Sequence, residues 1–181
     1  MKGQDILILF KLVSLQLQRG DSAYLVENTS ARALESSLGV SKSEVNSSIN
    51  RSIESGLIVR DRQHGYPKVN TAALLEFVCS GLKYVFPVKP AELVRGIPTA
   101  FDAPVLQGEL ESLNDIKYVW PSANGSERGQ AIKPLFKTVP EACEKDKKLY
   151  RFLALVDAIR LGNPRESKLA QKLLKSAVKE K

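Results

Sequence analysis

Residues 33–45 read ALESSLGVSKSEV, and this stretch predicts two helices joined by a sharp turn. Leu34 and Leu38 lie four residues apart, on one face of the first helix. Gly39 follows them and can take the left-handed backbone conformation that commonly ends a helix. Val40 is expected to fill the angle between the two helices. The stretch therefore predicts a helix-turn-helix.

The second helix is predicted over residues 41–55. Ser41 and Glu44 have the S-x-x-E spacing of a capping box, in which each side chain accepts a hydrogen bond from the other residue's backbone amide. An apolar stripe recurs along one face, at Val45, Ile49 and Ile53. The opposite face is small, polar and basic, and it consists of Lys42, Ser43, Asn46, Ser47, Asn50 and Arg51.

The composition of that polar face fits a helix that reads DNA. Short side chains allow a close approach to the major groove, amides can pair with adenine edges, and arginine or lysine can contact guanine or phosphate. An ordinary amphipathic helix with a solvated polar face has the same pattern. The neighbouring sequence therefore has to decide between the two interpretations.

Residues 57–69 predict a β-hairpin after Gly56, which can end the second helix. Two short β-favouring runs flank a polar turn that contains glycine. Pro67 has no amide donor and therefore belongs on an edge strand, as a two-stranded hairpin provides. Positive side chains on such a hairpin would be drawn to flanking phosphates or the minor groove. They are Arg60, Arg62, His64 and Lys68.

Taken together, residues 2–84 resemble a winged helix-turn-helix DNA-binding domain of the bacterial MarR-like type of transcriptional regulator. The resemblance rests on the order of the N-terminal helix GQDILILFKLVSLQLQR, the segment at Tyr24 and Leu25, the two motif helices, the hairpin as the wing, and the helix TAALLEFVCSGLKYVF. Glu35 departs from the pattern, because the position after Leu34 is usually small where the helices approach closely.

The resemblance implies a double-stranded DNA partner, and no cofactor is expected. The helix over 41–55 would read the major groove, and the wing over 57–69 would hold the flanking backbone. A homodimer would place two such helices about 34 Å apart, on successive turns of the major groove. Repression is favoured over activation, because no segment resembles a polymerase contact.

The segment 85–140 contains seven prolines, so any helix in it is predicted to be short. Residues 95–104 predict an ordered but irregular crossing. A strand is predicted over 116–120, a loop over 122–129 and a second extended piece over 130–136. We expect these pieces to form a hairpin or a small three-stranded sheet.

Helical periodicity returns in residues 141–181. One helix is predicted to follow Pro140 and to end at residues 161–164, with an apolar stripe of Leu149, Phe152, Leu153, Val156 and Ile159. A last helix is predicted from Arg165 to about Lys179. We expect these helices to cover their own domain and to support dimerisation. The predicted fold class is therefore mainly α with a small β component (α+β).

A ligand cleft in the second half is the basis of another interpretation, a repressor that senses a small molecule. Trp120 could line such a cleft, and Arg95 or Arg128 could meet an anion. Aromatic side chains in a proline-rich segment more often anchor that segment to the core. A further alternative is a module in which the winged helix binds a protein partner, as in an antitoxin or an assembly factor.

The composition fits a compact protein with a polyanionic partner. The chain has 181 residues, 43% of them hydrophobic, and a net charge of +7. Residues 1–84 hold ten basic and eight acidic residues, whereas residues 85–181 hold seventeen and twelve. No apolar run reaches the roughly 20 residues needed to span a bilayer, and no signal peptide is evident, so we expect a cytoplasmic protein with no membrane partner. Cys79 and Cys143 are predicted to be unpaired.

A search for catalytic chemistry predicts no enzyme. His64 is the single histidine and no C-x-x-C pair exists, so no metal site is expected. Residues 125–129 lack the Gly-Lys-Ser/Thr ending of a phosphate loop. The spacing of the acidic residues in the second half fixes no shared face for an acid-base pair. These residues are Asp102, Glu109, Glu111 and Asp115.

Overall fold

The computed structural model describes residues 1–18, 21–109 and 117–179, and it is mainly helical with two small sheets. The predicted fold class is therefore confirmed. The helices are α1 Gly3–Gln18, α2 Ser22–Asn28, α3 Ala31–Leu38, α4 Lys42–Glu54, α5 Thr71–Ser80, α6 Leu82–Val85, α7 Val139–Lys145, α8 Lys147–Leu161 and α9 Pro164–Ala177. The strands are β1 Ile58–Arg60, β2 Pro67–Val69, β3 Leu93–Pro98, β4 Tyr118–Pro121 and β5 Glu127–Ala131. Some predictions concern positions outside the described residues, namely residue 19, Glu111, Asp115, residue 116 and residues 180–181.

The core is built around α1, in which most residues from Gln4 to Leu15 are buried. It packs against α4, α8 and β2. Its Phe10 ring lies 5.6 Å from the Phe152 ring of α8, measured between ring centroids. One hydrophobic cluster thus includes residues from before residue 84 and from after residue 140. Helix α1 therefore packs against both halves of the described chain.

The predicted α3–turn–α4 segment is confirmed, with one change in how α4 begins. Gly39 has a φ of 64°, in the left-handed region, and ends α3. Ser41 caps α4, because its hydroxyl accepts a hydrogen bond from the Glu44 amide at 3.5 Å. The Glu44 carboxylate does not return to the Ser41 amide, since it accepts a hydrogen bond from Gln4 on α1 instead. The prediction of a reciprocal capping box at Ser41 and Glu44 is therefore wrong.

Glu35, the residue that departs from the MarR-like pattern, supplies part of the missing cap. Its carboxylate accepts a hydrogen bond from the Lys42 amide at 3.2 Å and lies 3.7 Å from the Lys42 ammonium nitrogen. The first amides of a helix have no partner within the helix and carry partial positive charge. Glu35 therefore stabilises the start of α4.

The predicted hairpin after α4 is confirmed. Strands β1 and β2 pair antiparallel, and Arg60 lies opposite Pro67. The turn between them is held by Asp61, whose Oδ1 accepts hydrogen bonds from the amides of Gln63 at 3.1 Å and His64 at 2.8 Å. These bonds, with the His64 amide contributing most, lower the pKa of Asp61. Local hydrogen bonding thus fixes the shape of the hairpin tip.

The second half contains the predicted three-stranded sheet, with different strand limits. Strand β3 pairs antiparallel with both β4 and β5, which pair parallel with each other. The crossing predicted at 95–104 is wrong for its first part, because residues 95–98 belong to β3. The loop predicted at 122–129 is too long, because Glu127 already starts β5. Gly96 allows this tight pairing, since a Cβ there would overlap the Trp120 carbonyl group.

The single helix predicted after Pro140 is in fact two helices, α7 and α8, separated at Asp146. The Asp146 carboxylate caps α8 by accepting a hydrogen bond from the Leu149 amide at 3.0 Å. It also accepts one from the Lys11 ammonium group at 2.8 Å and one from the Ser14 hydroxyl. Burial raises the pKa of Asp146, but these bonds outweigh burial and leave the pKa below its ordinary value. Partners on α1 therefore stabilise the break.

A second buried carboxylate joins α8 to the sheet. Asp157 accepts hydrogen bonds from Trp120 Nε1 at 2.6 Å, Thr99 Oγ1 at 3.0 Å and Arg160 Nη1 at 2.6 Å. Burial raises its pKa, and these partners offset part of that rise. The Arg160 Nε donates in turn to the Phe86 carbonyl at 2.9 Å. The network connects α8, β4 and the chain segment after α6.

Candidate nucleic-acid interface

The outer face of α4 presents most of the polar side chains that the sequence assigned to it. Its apolar residues, such as Val45 and Ile49, are buried against the core. Five of the six predicted contact residues are exposed, namely Lys42, Ser43, Asn46, Ser47 and Asn50. None of these five side chains is acidic. The outer face of the helix is therefore polar, and the one carboxylate of its first turn, Glu44, is partly buried and accepts a hydrogen bond from Gln4 on α1.

Arg51, the sixth predicted contact residue of α4, is not part of that outer face. Its Nε and Nη2 donate to the two Asp5 carboxylate oxygens at 3.1 and 2.7 Å. The Arg51 side chain is 29% exposed and that of Asp5 only 1%. The predicted position of Arg51 beside Asn50 is therefore corrected, because Arg51 lies at the edge of the polar face where α4 meets α1.

Electrostatics explain why Asp5 holds Arg51. Burial raises the pKa of Asp5, but the hydrogen bonds from Arg51 and from the Lys2 amide outweigh burial and leave the pKa below its ordinary value. The hydrogen bond to Asp5 in turn raises the pKa of Arg51. Sequence reasoning missed this partner, although an acidic residue directly before the apolar run of residues 6–10 was a signal that a cation would be needed.

A groove of about 250 Å³ separates α4 from the hairpin. Asn46 and Asn50 line it from the helix, and Arg60 and His64 line it from the hairpin. Ser30, at the start of α3, also lines it. The structure thus brings together two residues from the predicted helix site and two from the predicted hairpin site. Sequence reasoning missed Ser30 as a residue of this groove. The one signal for it in the sequence is its position directly before helix α3.

The hairpin presents all four of its predicted residues at the surface. Arg60, Arg62, His64 and Lys68 are exposed. Arg60 Nη1 donates to the Gly65 carbonyl at 3.3 Å, and His64 Nδ1 lies 3.2 Å from Asp61 Oδ1. Within the described ranges, Arg60, Arg62 and Lys68 have no ion-pair partner. The hairpin therefore carries cationic groups that can meet an anion.

The predicted ligand cleft is not formed by its three residues. Trp120 is 1% exposed, and its Nε1 is bonded to Asp157. Arg95 and Arg128 lie opposite each other on β3 and β5 and are exposed. The prediction that Trp120 lines an open cleft is therefore wrong, because the ring anchors the sheet to α8, which was the alternative interpretation.

The described part of the chain offers little other chemistry. It contains no group of three or more histidine, cysteine or acidic residues placed to hold a metal ion. Cys79 and Cys143 are free, and burial raises the pKa of both thiols. No helix in residues 1–18, 21–109 or 117–179 is long and apolar enough to cross a membrane.

Comparison with known proteins assigns no family. No family model, no curated protein and no solved structure matches this chain. The functional interpretation therefore depends on the surface formed by α4 and the hairpin.

Proposed function

We propose that this chain is a sequence-specific DNA-binding regulator of transcription with a winged helix-turn-helix. In this proposal α4 reads base edges in the major groove and the β1–β2 hairpin contacts the flanking backbone. The observation that carries it is the groove in which Asn46 and Asn50 lie beside Arg60 and His64. Amides suited to base edges and cations suited to phosphate thus share one surface.

The dimensions of α4 support the proposal. The helix has 13 residues, which gives it a length of about 20 Å. The major groove is about 12 Å wide and admits a helix. Because α4 has small or medium side chains at its exposed positions between Ser43 and Asn50, its backbone could approach the bases closely.

The charge distribution supports different roles for the helix and the hairpin in DNA binding. Between Ser43 and Asn50 the exposed residues are uncharged, and the one charged residue, Glu44, is partly buried. The hairpin, in contrast, carries Arg60, Arg62 and Lys68. Phosphate contacts give affinity without regard to sequence, and base contacts give specificity. We therefore expect the hairpin to set the salt dependence of binding and α4 to set the preferred sequence.

Two narrower expectations rest on the sequence and remain predictions. One is a homodimer supported by the C-terminal helices, which light scattering at several protein concentrations would test. The other is repression, which a reporter fused to the bound promoter would test. Neither is required for the groove beside α4 to bind DNA.

The test is an affinity measurement on the full chain with a duplex selected from a random double-stranded library. We expect the triple variant Arg60→Ala, Arg62→Ala, Lys68→Ala to weaken binding to all duplexes. Its plot of log affinity against log salt should flatten by about 0.9 for each phosphate that the variant no longer neutralises. The matched control removes three lysines from the exposed side of α9, at Lys168, Lys172 and Lys175. An equal effect of both variants, or no binding by the wild type, would refute the proposal.

A further inference from the structure

The base-facing surface of α4 offers amides and hydroxyls but no guanidinium group. Asn46 and Asn50 are one helical turn apart, and both are exposed and line the groove beside the hairpin. Ser43 and Ser47 are the exposed residues next to them. Hydroxyls hydrogen-bond to any base, so the two asparagines are the groups on this face that can discriminate strongly.

Both cations of α4 are held away from the middle of this face. Arg51 is the single arginine of the helix, and Asp5 binds it through two hydrogen bonds. Lys42 stands at the first position of the helix, with its ammonium nitrogen 3.7 Å from the Glu35 carboxylate. Reading guanine in the major groove characteristically uses arginine or lysine on its O6 and N7 atoms. The contact with Asp5 therefore removes Arg51 from this face, and Lys42 lies one turn before Asn46, so the centre of α4 presents no cation.

We infer that α4 recognises A·T base pairs, with Asn46 and Asn50 each bound to an adenine. This inference rests on the proposed DNA-binding function. An asparagine amide can donate to adenine N7 and accept from the adenine N6 amino group at the same time. Guanine presents an acceptor, O6, where adenine has that donor, so the amide oxygen would face an unpaired acceptor.

The helix geometry limits the spacing of the two adenines. Residues four apart are separated by about 6 Å along a helix axis, and base pairs are stacked about 3.4 Å apart. The preferred half-site should therefore contain A·T pairs at neighbouring positions or two steps apart. The hairpin cations would contact backbone outside this core, where the sequence is less restricted.

The experiment uses the full chain and duplexes selected from a random double-stranded library. Each adenine of the selected core is replaced in turn by 7-deazaadenine, which lacks the N7 acceptor. We expect two positions at which this replacement weakens binding, by less than the roughly 5- to 150-fold of a complete bidentate contact, because the bond from the N6 amino group is kept. In Asn46→Ala one of these penalties should disappear, and in Asn50→Ala the other should disappear.

The matched control is Asn124→Ala, which changes an exposed asparagine in the loop between β4 and β5. It should keep both penalties. Asn50→Arg should shift the preference at its position from adenine to guanine, which loss of structure would not produce.

The outcomes separate the inference from the function on which it rests. A selected core that contains G·C pairs at the positions sensitive to Asn46 or Asn50 would overturn the inference and leave DNA binding intact. Deaza penalties that persist in both alanine variants would overturn it as well. A library from which no sequence is enriched would overturn the proposed specific binding and the inference together.

Discussion

The ion pair between Arg51 and Asp5 supports a prediction about stability that differs from the one the sequence alone favours. On the sequence, Arg51→Ala should weaken DNA binding. In the structure, both Asp5 oxygens accept from the Arg51 guanidinium, which lies between α4 and α1. We therefore expect Arg51→Ala to destabilise the fold and to leave sequence preference unchanged.

The size of the effect follows from burial. Removing one partner of a fully buried ion pair costs about 3–5 kcal/mol, because the other charge is left without compensation. The Asp5 side chain is 1% exposed, but 29% of the Arg51 side chain is exposed. Water already screens one side of the pair, so we expect a smaller loss, about 2–3 kcal/mol. Arg51→Lys keeps the charge but not the two-point geometry, and it should lose about half as much.

Urea unfolding followed by the fluorescence of Trp120 gives the free energy of unfolding directly, because Trp120 is the single tryptophan and is buried. The control is Arg62→Ala, an exposed hairpin residue that should change stability by less than about 0.5 kcal/mol. The reasoning fails if Arg51→Ala is as stable as wild type and has also lost its sequence preference.

Three further predictions concern the supports of the fold. The pKa of Asp146 is lowered in the folded state, so its ionised carboxylate stabilises the fold above about pH 4, and this stabilisation is lost as the pH falls further. The difference in unfolding free energy between wild type and Asp146→Asn should therefore shrink in acid. Asp157→Ala leaves the Arg160 side chain, 4% exposed, without its carboxylate, and denaturant unfolding should show a loss of about 3–5 kcal/mol. Asp157→Asn, which keeps an acceptor for Trp120, should lose less. Gly96→Ala should lower the melting temperature strongly, because its methyl group overlaps backbone of β4, and a melting curve like that of wild type would contradict the described strand pairing.

The parts of the fold that depend on neighbouring residues were predictable from the sequence. Gly39 ends α3 and Ser41 caps α4 through contacts within a few residues. Pro67, which cannot donate an amide hydrogen bond, occupies a strand of the two-stranded hairpin. Local propensity and capping decide such features, and a single sequence displays them directly.

The errors arose where distant residues compete for a side chain. Glu44 has the spacing of a capping box, but its carboxylate accepts a hydrogen bond from the Gln4 side chain on α1. Arg51 has the helical position of a surface residue, but Asp5 binds it from 46 residues away. Asp146 interrupts a continuous helical pattern, and Lys11, 135 residues earlier, pairs with it there. No local pattern encodes these tertiary contacts.

The candidate site was predictable in its helix and hairpin members but not in its shape. Asn46 and Asn50 follow from helical periodicity, and Arg60 and His64 from the hairpin pattern. Their meeting in one groove depends on how β1 and β2 pack beside α4, which periodicity does not specify. The position of Trp120 was predicted wrongly for the same reason, because its partner Asp157 lies on α8, far from β4 in the sequence.

Amide hydrogen exchange of the full chain, with and without a selected duplex, tests the central claim most directly. We expect bound DNA to slow exchange in α4 and in the hairpin from Ile58 to Val69, and to leave exchange in the buried middle of α8 unchanged. Protection confined to the β3–β5 sheet or to α9, with exchange in α4 and the hairpin unaltered, would contradict it.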